Sequence, residues 1–345
     1  MTEGPLPTPP ELPGRAWRSL QPSDARAMRA LDLSGSAPGG LAADPLQDYD
    51  YAFDDARTDP ASDTLAAVDK RDALLAYGWV QAPRQLDSEY RVDLLWQAAR
   101  AGGTAPGKPL AKRTVVATPA AIAADFLLDW MEARARQRCA ELPDDGLPRR
   151  LALWCWADQR PRLSLYERHG YTERWAQQHM RRNLRRPRPA VPFPDGIKIV
   201  PWELEHDELM RQAYDSAFRD QRQRDDGGID TADWQRLYTD VAEFCPEVSF
   251  IALHGDEPVG LTRCLLHKAE KEGEIGQLGV VPEWRRRRLG AALLAATLFG
   301  FVELGLRWAT LSVDLHNKPA VKLFKHAGFT VTRRYVGFAK VIAPE

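Results

Sequence analysis

The sequence predicts an α/β (α+β) chain of two related domains in tandem, each a mixed central sheet flanked by helices. Three observations carry that expectation. A strand, polar turn, strand pattern occurs twice, in TLAAVDKRDALLAYGWV (64–80) and VSFIALHGDEPVGLTRCLL (248–266). A last helical turn, a glycine cap and a strand start also occur twice, in LYERHGY (165–171) and LFKHAGF (323–329). Between the copies, RRNLRRPRPAVPFPDG (181–196) mixes basic residues with four prolines, which deny the backbone both helix and central strand.

The 345 residues are also long for a single core. The chain therefore divides into a proline-rich, disordered tail (1–14), an N-terminal domain (15–180), a linker (181–196) and a C-terminal domain (197–345). Gly78 pairs with Gly260 at an offset of 182, and Gly170 with Gly328 at an offset of 158. The first copy thus carries about 24 more residues, which the insertion-like stretches 82–115 and 139–150 could supply.

Bulk properties narrow the function. The formal net charge is -1, from 47 basic and 48 acidic residues, so no field over the whole molecule recruits nucleic acid or an anionic membrane. Cys139, Cys155, Cys245 and Cys264 lack metal-ligand or redox spacing and read as buried free thiols, and no metal is expected. No run of about 18 apolar residues is present, and the N-terminus lacks a basic start followed by an apolar stretch. The expectation is a cytoplasmic protein that does not touch membranes.

The chemistry concentrates in EIGQLGVVPEWRRRRLGAALLAATLFGFVELGL (274–306). Ile275, Leu278, Val280 and Val281 suit a buried strand, Pro282 stops it, and the apolar run from Leu289 suits a helix packed between layers. Arg285, Arg286, Arg287, Arg288, Leu289, Gly290 and Ala291 lie where strand passes into helix. First-turn amides have no helical partner and the helix dipole favours negative charge, so this junction is an anion site that suits a diphosphate-bearing cofactor. Gly290 admits close backbone approach, and guanidinium forks match phosphate oxygens. Read alone, four consecutive arginines could equally be a solvated surface. RWATLSVDL (307–315) then alternates as a half-buried strand, and Asn317 and Pro319 open a short helix closed by Gly328.

This order of strand, R-x-x-x-x-G loop, helix, strand, Asn, short helix and Gly-Phe resembles the GCN5-related N-acetyltransferase (GNAT) superfamily. The resemblance implies a fold that holds acetyl-CoA, or another acyl-CoA, as co-substrate, with Arg285 and Gly290 at the ends of the pyrophosphate loop. Arg288 stands where the family's middle glycine is usual. Leu278 and Val280 would offer backbone groups to the pantetheine arm and acyl carbonyl, and Asn317 and Phe324 would line the cofactor. Glu274 matches a glutamate that serves as general base in family members. Chemically it fits, because an ammonium must lose a proton before it can attack a thioester. As a lone residue, Glu274 could equally be a strand-end surface acid. Phe324 stands where the family usually has an acidic tyrosine, with His326 and His316 as alternatives, while the first copy keeps Tyr166.

Aligned with the second copy, the first places PAAIAA (119–124) opposite RRRRLG (285–290), without arginine or glycine. It reads as a degenerate domain of the same family, an organisation that resembles mycothiol synthase and related actinobacterial two-domain chains. The resemblance puts the acceptor near Asp207–Gly228, where Asp220, Asp225 and Asp226 could pair with an amine and Asp220 lies closest to the helix end. The expected activity is acetyl transfer to a small-molecule primary amine by direct attack; a non-catalytic acyl-CoA-binding or scaffold protein is the alternative. Neither the acceptor nor the oligomeric state is legible.

Overall fold

A computed structural model describes residues 5–35, 53, 58–86, 88–98, 119–187, 190–220 and 231–342. The chain packs as two units. One comprises Met1–Trp154, Pro161–Thr172 and Phe338–Glu345, the other Cys155–Arg160 and Glu173–Gly337.

In the first unit β1 (Arg15–Arg18), helices α1 (Ala25–Gly35) and α2 (Pro60–Asp63), and strands β2 (Thr64–Asp69), β3 (Leu74–Val80), β4 (Arg84–Leu86) and β5 (Glu89–Ala98) precede α3 (Pro119–Ala140), β6 (Arg149–Trp156) as far as Trp154 and α4 (Arg160–Arg168) from Pro161. The sheet runs β1-β2-β3-β5-β6, with β5 and β6 parallel and its other pairs antiparallel. Helix α3 lies close on β3 because Gly78 has no side chain: a Cβ there would sit 3.1 Å from Met131 and 3.2 Å from Leu127.

The second unit holds most of β7 (Thr172–Asn183), then β8 (Ile197–Pro201), α5 (Asp207–Phe218), α6 (Thr231–Trp234), β9 (Phe250–His254), β10 (Glu257–His267), β11 (Glu272–Val280), α7 (Leu289–Glu303), β12 (Trp308–Asp314), α8 (Lys318–His326) and β13 (Thr330–Ile342) as far as Gly337. Its strands run β7-β12-β11-β10-β9-β8, with β11 and β12 parallel. Helix α7 buries Leu289, Leu293, Leu294, Leu298 and Phe301. A Cβ on Gly260 would meet Leu293 at 3.2 Å and Leu289 at 3.5 Å, the same device as at Gly78. On the other face α5 buries Met210, Ala213 and Ala217 against Ile251 and Leu261.

The glycine contacts correct the alignment of the two copies. Gly78 meets Leu127 and Met131 where Gly260 meets Leu289 and Leu293, so the helix offset is 162 (289 − 127, 293 − 131). The sequence alignment of PAAIAA with RRRRLG is therefore one helical turn out. Strand β5 ends at Ala98 and β11 at Val280, still at offset 182, so β5 is a sheet strand and the stretch 82–98 is no insertion. Of the 24 extra residues, 20 (182 − 162) fall between β5 and the start of the matched helix, where 99–118 lie outside the described residues. The remaining 4 (162 − 158) fall between that helix and the glycine cap. At the corrected offset α3 begins eight residues, about two turns, before the equivalent of Leu289. In the first copy helix thus stands where the second copy has the Arg285–Gly290 loop, and its amides beyond the first turn are used internally.

A second correction concerns 181–196. Strand β7 continues to Asn183, and Arg182 and Leu184 are buried, so the linker's basic start belongs to the second unit's sheet. Arg182 is accommodated because the carbonyls of Asn183, Arg186 and Pro187 accept from its guanidinium. Residues 5–14 form no helix or strand, though Trp17 Nε1 donates to Pro10 O at 3.0 Å. All four cysteines are free and buried, and burial raises the thiols of Cys139 to about 11 and Cys245 to about 12. Among the described residues, no helix is long and apolar enough to cross a membrane.

Candidate acyl-transfer site

Strand β11 meets β12 only at Glu272–Trp308, Gly273–Ala309 and Glu274–Thr310. Beyond that point β12 pairs with β7 through Asp314, while β11 continues to Val280 against β10 alone. The strands part, and among the described residues one edge of β11 beyond Glu274 has no strand partner. Val281 N–H donates to Val259 O on β10, and alternation then turns the N–H and C=O of Leu278 and Val280 to the open edge. Arg285 Nε occupies the Val280 carbonyl at 3.0 Å, which leaves the Val280 N–H and both backbone groups of Leu278.

A bulge sets this geometry. Arg263 pairs with Gln277 and Cys264 with Ile275, so Gly276 has no opposite residue. The bulge reverses which side chains face α7: Ile275 packs against it before the bulge, Leu278 and Val280 after it. Glu274, Gln277 and Gly279 look to the opposite face, where a Cβ on Gly279 would collide with Ala217 and Phe218 of α5.

The loop after β11 holds two non-glycine residues in the left-handed region, Arg286 (φ 62°) and Arg288 (φ 65°). Arg288 is the N-cap of α7 and adopts the conformation a glycine would take, at a cost of about 1–3 kcal/mol. Alternating handedness of this kind turns successive amides toward one point, an anion-binding concavity. The Arg285 N–H donates to Pro282 O, and bonding resumes with the Ala291 and Ala292 N–H groups on Arg288 O; the amides from Arg286 to Gly290 donate to no described residue. Gly290 faces Val280, Leu278 and Leu323, all at least 3.5 Å from where a Cβ would stand.

Arg285 is a clamp. Its Nη2 donates to Ala217 O at 2.8 Å and Asp220 Oδ1 at 2.9 Å, and Asp220 is held below the usual carboxylate range chiefly by that hydrogen bond. Asp220, expected on the acceptor, is thus brought to the loop, while Asp225 and Asp226 lie outside the described residues. Arg287 stacks over Trp284 at 4.7 Å, and Arg286, Arg287 and Arg288 have no carboxylate partner among the described residues. Partnerless amides and exposed guanidinium groups at one helix N-terminus suit a diphosphate.

Asn317 caps α8, its side chain accepting from Ala320 N–H at 3.2 Å. Phe324 is buried in the core 6.0 Å from the Phe329 ring, so in α8 it is Leu323 that borders the space at Gly290. In the first copy Tyr166 is also buried: its hydroxyl accepts from Trp96 Nε1 at 2.9 Å.

Glu274 sits where β11 and β12 part. His267 Nε2 lies 2.9 Å from its Oε2, and this contact raises the His267 pKa above the usual imidazole value. Two residues away, Glu272 is buried, bonded to Thr310 and paired with Arg181 at 3.0 Å. His179, on β7 opposite Ser312, is lowered to about 4, mainly by desolvation, and so is neutral near pH 7. Sequence reasoning missed His267, His179, Arg181 and Arg263. Only Arg263 left a signal, as a lone charge inside an apolar strand. A separate cavity of about 540 Å³, bordered by Asp215, Arg219, Glu283 and Trp284, includes neither Glu274 nor the open edge.

Residues 208–329 match the acetyltransferase (GNAT) family. The chain is 31% identical over 201 residues to a mycothiol acetyltransferase of Geodermatophilus obscurus, an alignment covering 56% of this chain and 63% of that relative. It is similar in structure to a GCN5-related N-acetyltransferase from Sphaerobacter thermophilus (TM-score 0.68, 22% identity, 96% and 97% of the two chains). It is also similar to a tandem GNAT protein from the clavulanic acid biosynthesis pathway (TM-score 0.61, 16% identity, 96% and 99%). The match to the GNAT family model thus covers residues 208–329, the chain spans less than two thirds of the length of the curated relatives it matches, and its fold is the tandem GNAT fold.

Proposed function

We propose that the second unit transfers an acyl group, acetyl in the simplest case, from coenzyme A to the primary amine of a small molecule. One observation carries this reading: an open strand edge at Leu278 and Val280 leads directly into a loop whose amides from Arg286 to Gly290 have no described partner. The loop amides and the guanidinium groups of Arg286, Arg287 and Arg288 would hold the diphosphate, and Arg285 keeps the loop on α5. The open amides of Leu278 and Val280 would hold the pantetheine arm and polarise the acyl carbonyl. The acyl-CoA supplies a thioester, an activated acyl group with a thiolate leaving group. Glu274, beside His267, takes the proton from the incoming ammonium through water, so that the free amine can attack.

The mycothiol acetyltransferase likeness supports acetyl transfer without naming this acceptor. A second reading, an acyl-CoA-binding protein without turnover, is favoured by Phe324, which offers no hydroxyl to the leaving thiolate. Free-thiol release from acetyl-CoA across a panel of amines decides between them. Transfer to at least one amine supports the enzyme, whereas tight acetyl-CoA binding with no acetylated product sinks it.

A further inference from the structure

Arg263 is 5% exposed, on the face of β10 turned away from α7. Its Nε donates to Tyr238 O at 2.7 Å and its Nη1 to Gln277 Oε1 at 3.0 Å. The guanidinium stacks near the rings of Tyr238 (5.1 Å) and Phe244 (5.7 Å). Two of its five N–H donors are thus used, and neither partner is a carboxylate. Nη2 has no partner among the described residues and, unlike the sealed Nε of Arg182, is not fully enclosed. Arg182, of similar burial, has three carbonyl acceptors.

Burying a guanidinium with most of its donors idle is costly, and burial here lowers its pKa. Packing alone does not require it, since an apolar side chain of similar length would stack on the same rings. Its position also limits what it can serve. Arg263 lies on β10, and β11 stands between that strand and the open edge facing β12. It shares a face with Glu274: Leu265 pairs with Glu274 and Arg263 with Gln277, so Arg263 stands two residues along β10 from the position level with the base, about 7 Å between Cα atoms. The bulge glycine allows this placement, because a Cβ on Gly276 would lie 3.1 Å from Nη1.

We infer that Arg263 selects the acceptor by binding its carboxylate, so that the substrate is an amino acid whose amine reaches Glu274 while its acidic group meets the guanidinium. A guanidinium edge presents parallel donors to a carboxylate, and in this dry position the pair discriminates strongly against a neutral amide. The inference rests on the acyltransferase reading and adds the substrate class to it.

The test uses the full chain, acetyl-CoA and matched acceptors: glycine, β-alanine, 4-aminobutyrate and lysine, each beside its carboxamide. The parent should favour the acid of at least one pair by about 10- to 100-fold in kcat/KM. Arg263→Met should reduce that preference to less than about threefold, mainly through KM, and Arg263→Lys should keep part of it. The same acids should raise the melting temperature of the parent but not of Arg263→Met. The melting temperature of unliganded Arg263→Met should equal or exceed the parent's, because a buried charge with idle donors has been removed. A parent that prefers carboxamides, or an Arg263→Met that keeps the preference for acids, overturns the inference and leaves acyl transfer standing. Failure to turn over any amine sinks the acyltransferase reading, and the melting shifts with acids then test Arg263 alone: absence of a shift in the parent overturns its role. An Arg263→Met that melts well below the parent marks the arginine as structural and also overturns it.

Discussion

Glu274→Gln separates a general base from a strand-end acid. Glutamine keeps an oxygen for His267, now 2.9 Å away, and so preserves the local contact while removing the proton acceptor. The size of the loss follows from the acceptor's own acidity. An alkylamine with pKa about 10.4 is deprotonated in about one molecule in 2,500 at pH 7, and about one in 25 at pH 9. An enzyme limited to that free fraction is therefore slower by up to about 2,500-fold at pH 7, with the deficit shrinking tenfold per pH unit. The expected loss is about 100-fold or more at pH 7, about 3 kcal/mol, and no more than about 25-fold at pH 9. Steady-state rates with the best amine, with acetyl-CoA affinity followed by calorimetry as a control, measure it. The variant should also alter the pH dependence of stability. His267 has a raised folded pKa, so its stabilising contribution is fully present below about pH 6.5 and is lost as pH rises through the folded value. The parent's stability margin over Glu274→Gln should therefore be largest in acid and narrow in alkali. Turnover within threefold of the parent at pH 7 would refute the assignment of Glu274 as base.

Calorimetry should find one coenzyme A per chain, because helix fills the equivalent loop position in the first unit; two sites would overturn that comparison. Asp220→Asn should weaken coenzyme A binding by releasing Arg285 while leaving the amine KM within about twofold; a change confined to the amine KM would return Asp220 to the acceptor side. Phe324→Tyr should raise turnover by tenfold at most, and should lower the melting temperature because a hydroxyl unpartnered in that core costs about 1–3 kcal/mol. Gly273→Ala, which brings a Cβ within 2.6 Å of the Phe301 ring, should destabilise by about 1–3 kcal/mol in denaturant unfolding.

Much of this was legible because it is local. Alternation marks β12, the Asn317 cap and Gly328 bracket α8, and the apolar run after Arg288 marks α7. Gly78 and Gly260 read as equivalent in the two copies, and in the structure each admits a helix close to its sheet. The helix alignment slipped by one turn because an apolar helix matches itself almost as well four residues along, and only contact with those glycines fixes its register.

The sequence by itself determined the repeated fold and marked the Arg285–Gly290 loop as a candidate anion site and Glu274 as a candidate base, since each depends on residue types within one strand, turn or helix. Tertiary structure decided what those residues touch. Asp220 and Arg285 are 65 positions apart, so nothing local foretold that the carboxylate holds the loop. Phe324 goes to the core because the strands beneath α8 are apolar, and His267 comes to Glu274 because β10 and β11 pair in that register. Arg263 is conspicuous in the sequence as a charge in an apolar strand, but only burial beside Tyr238 and Phe244, with donors left idle, distinguishes it from a surface arginine. Burial and long-range register arise from the whole packed sheet, and a chain read residue by residue does not contain them.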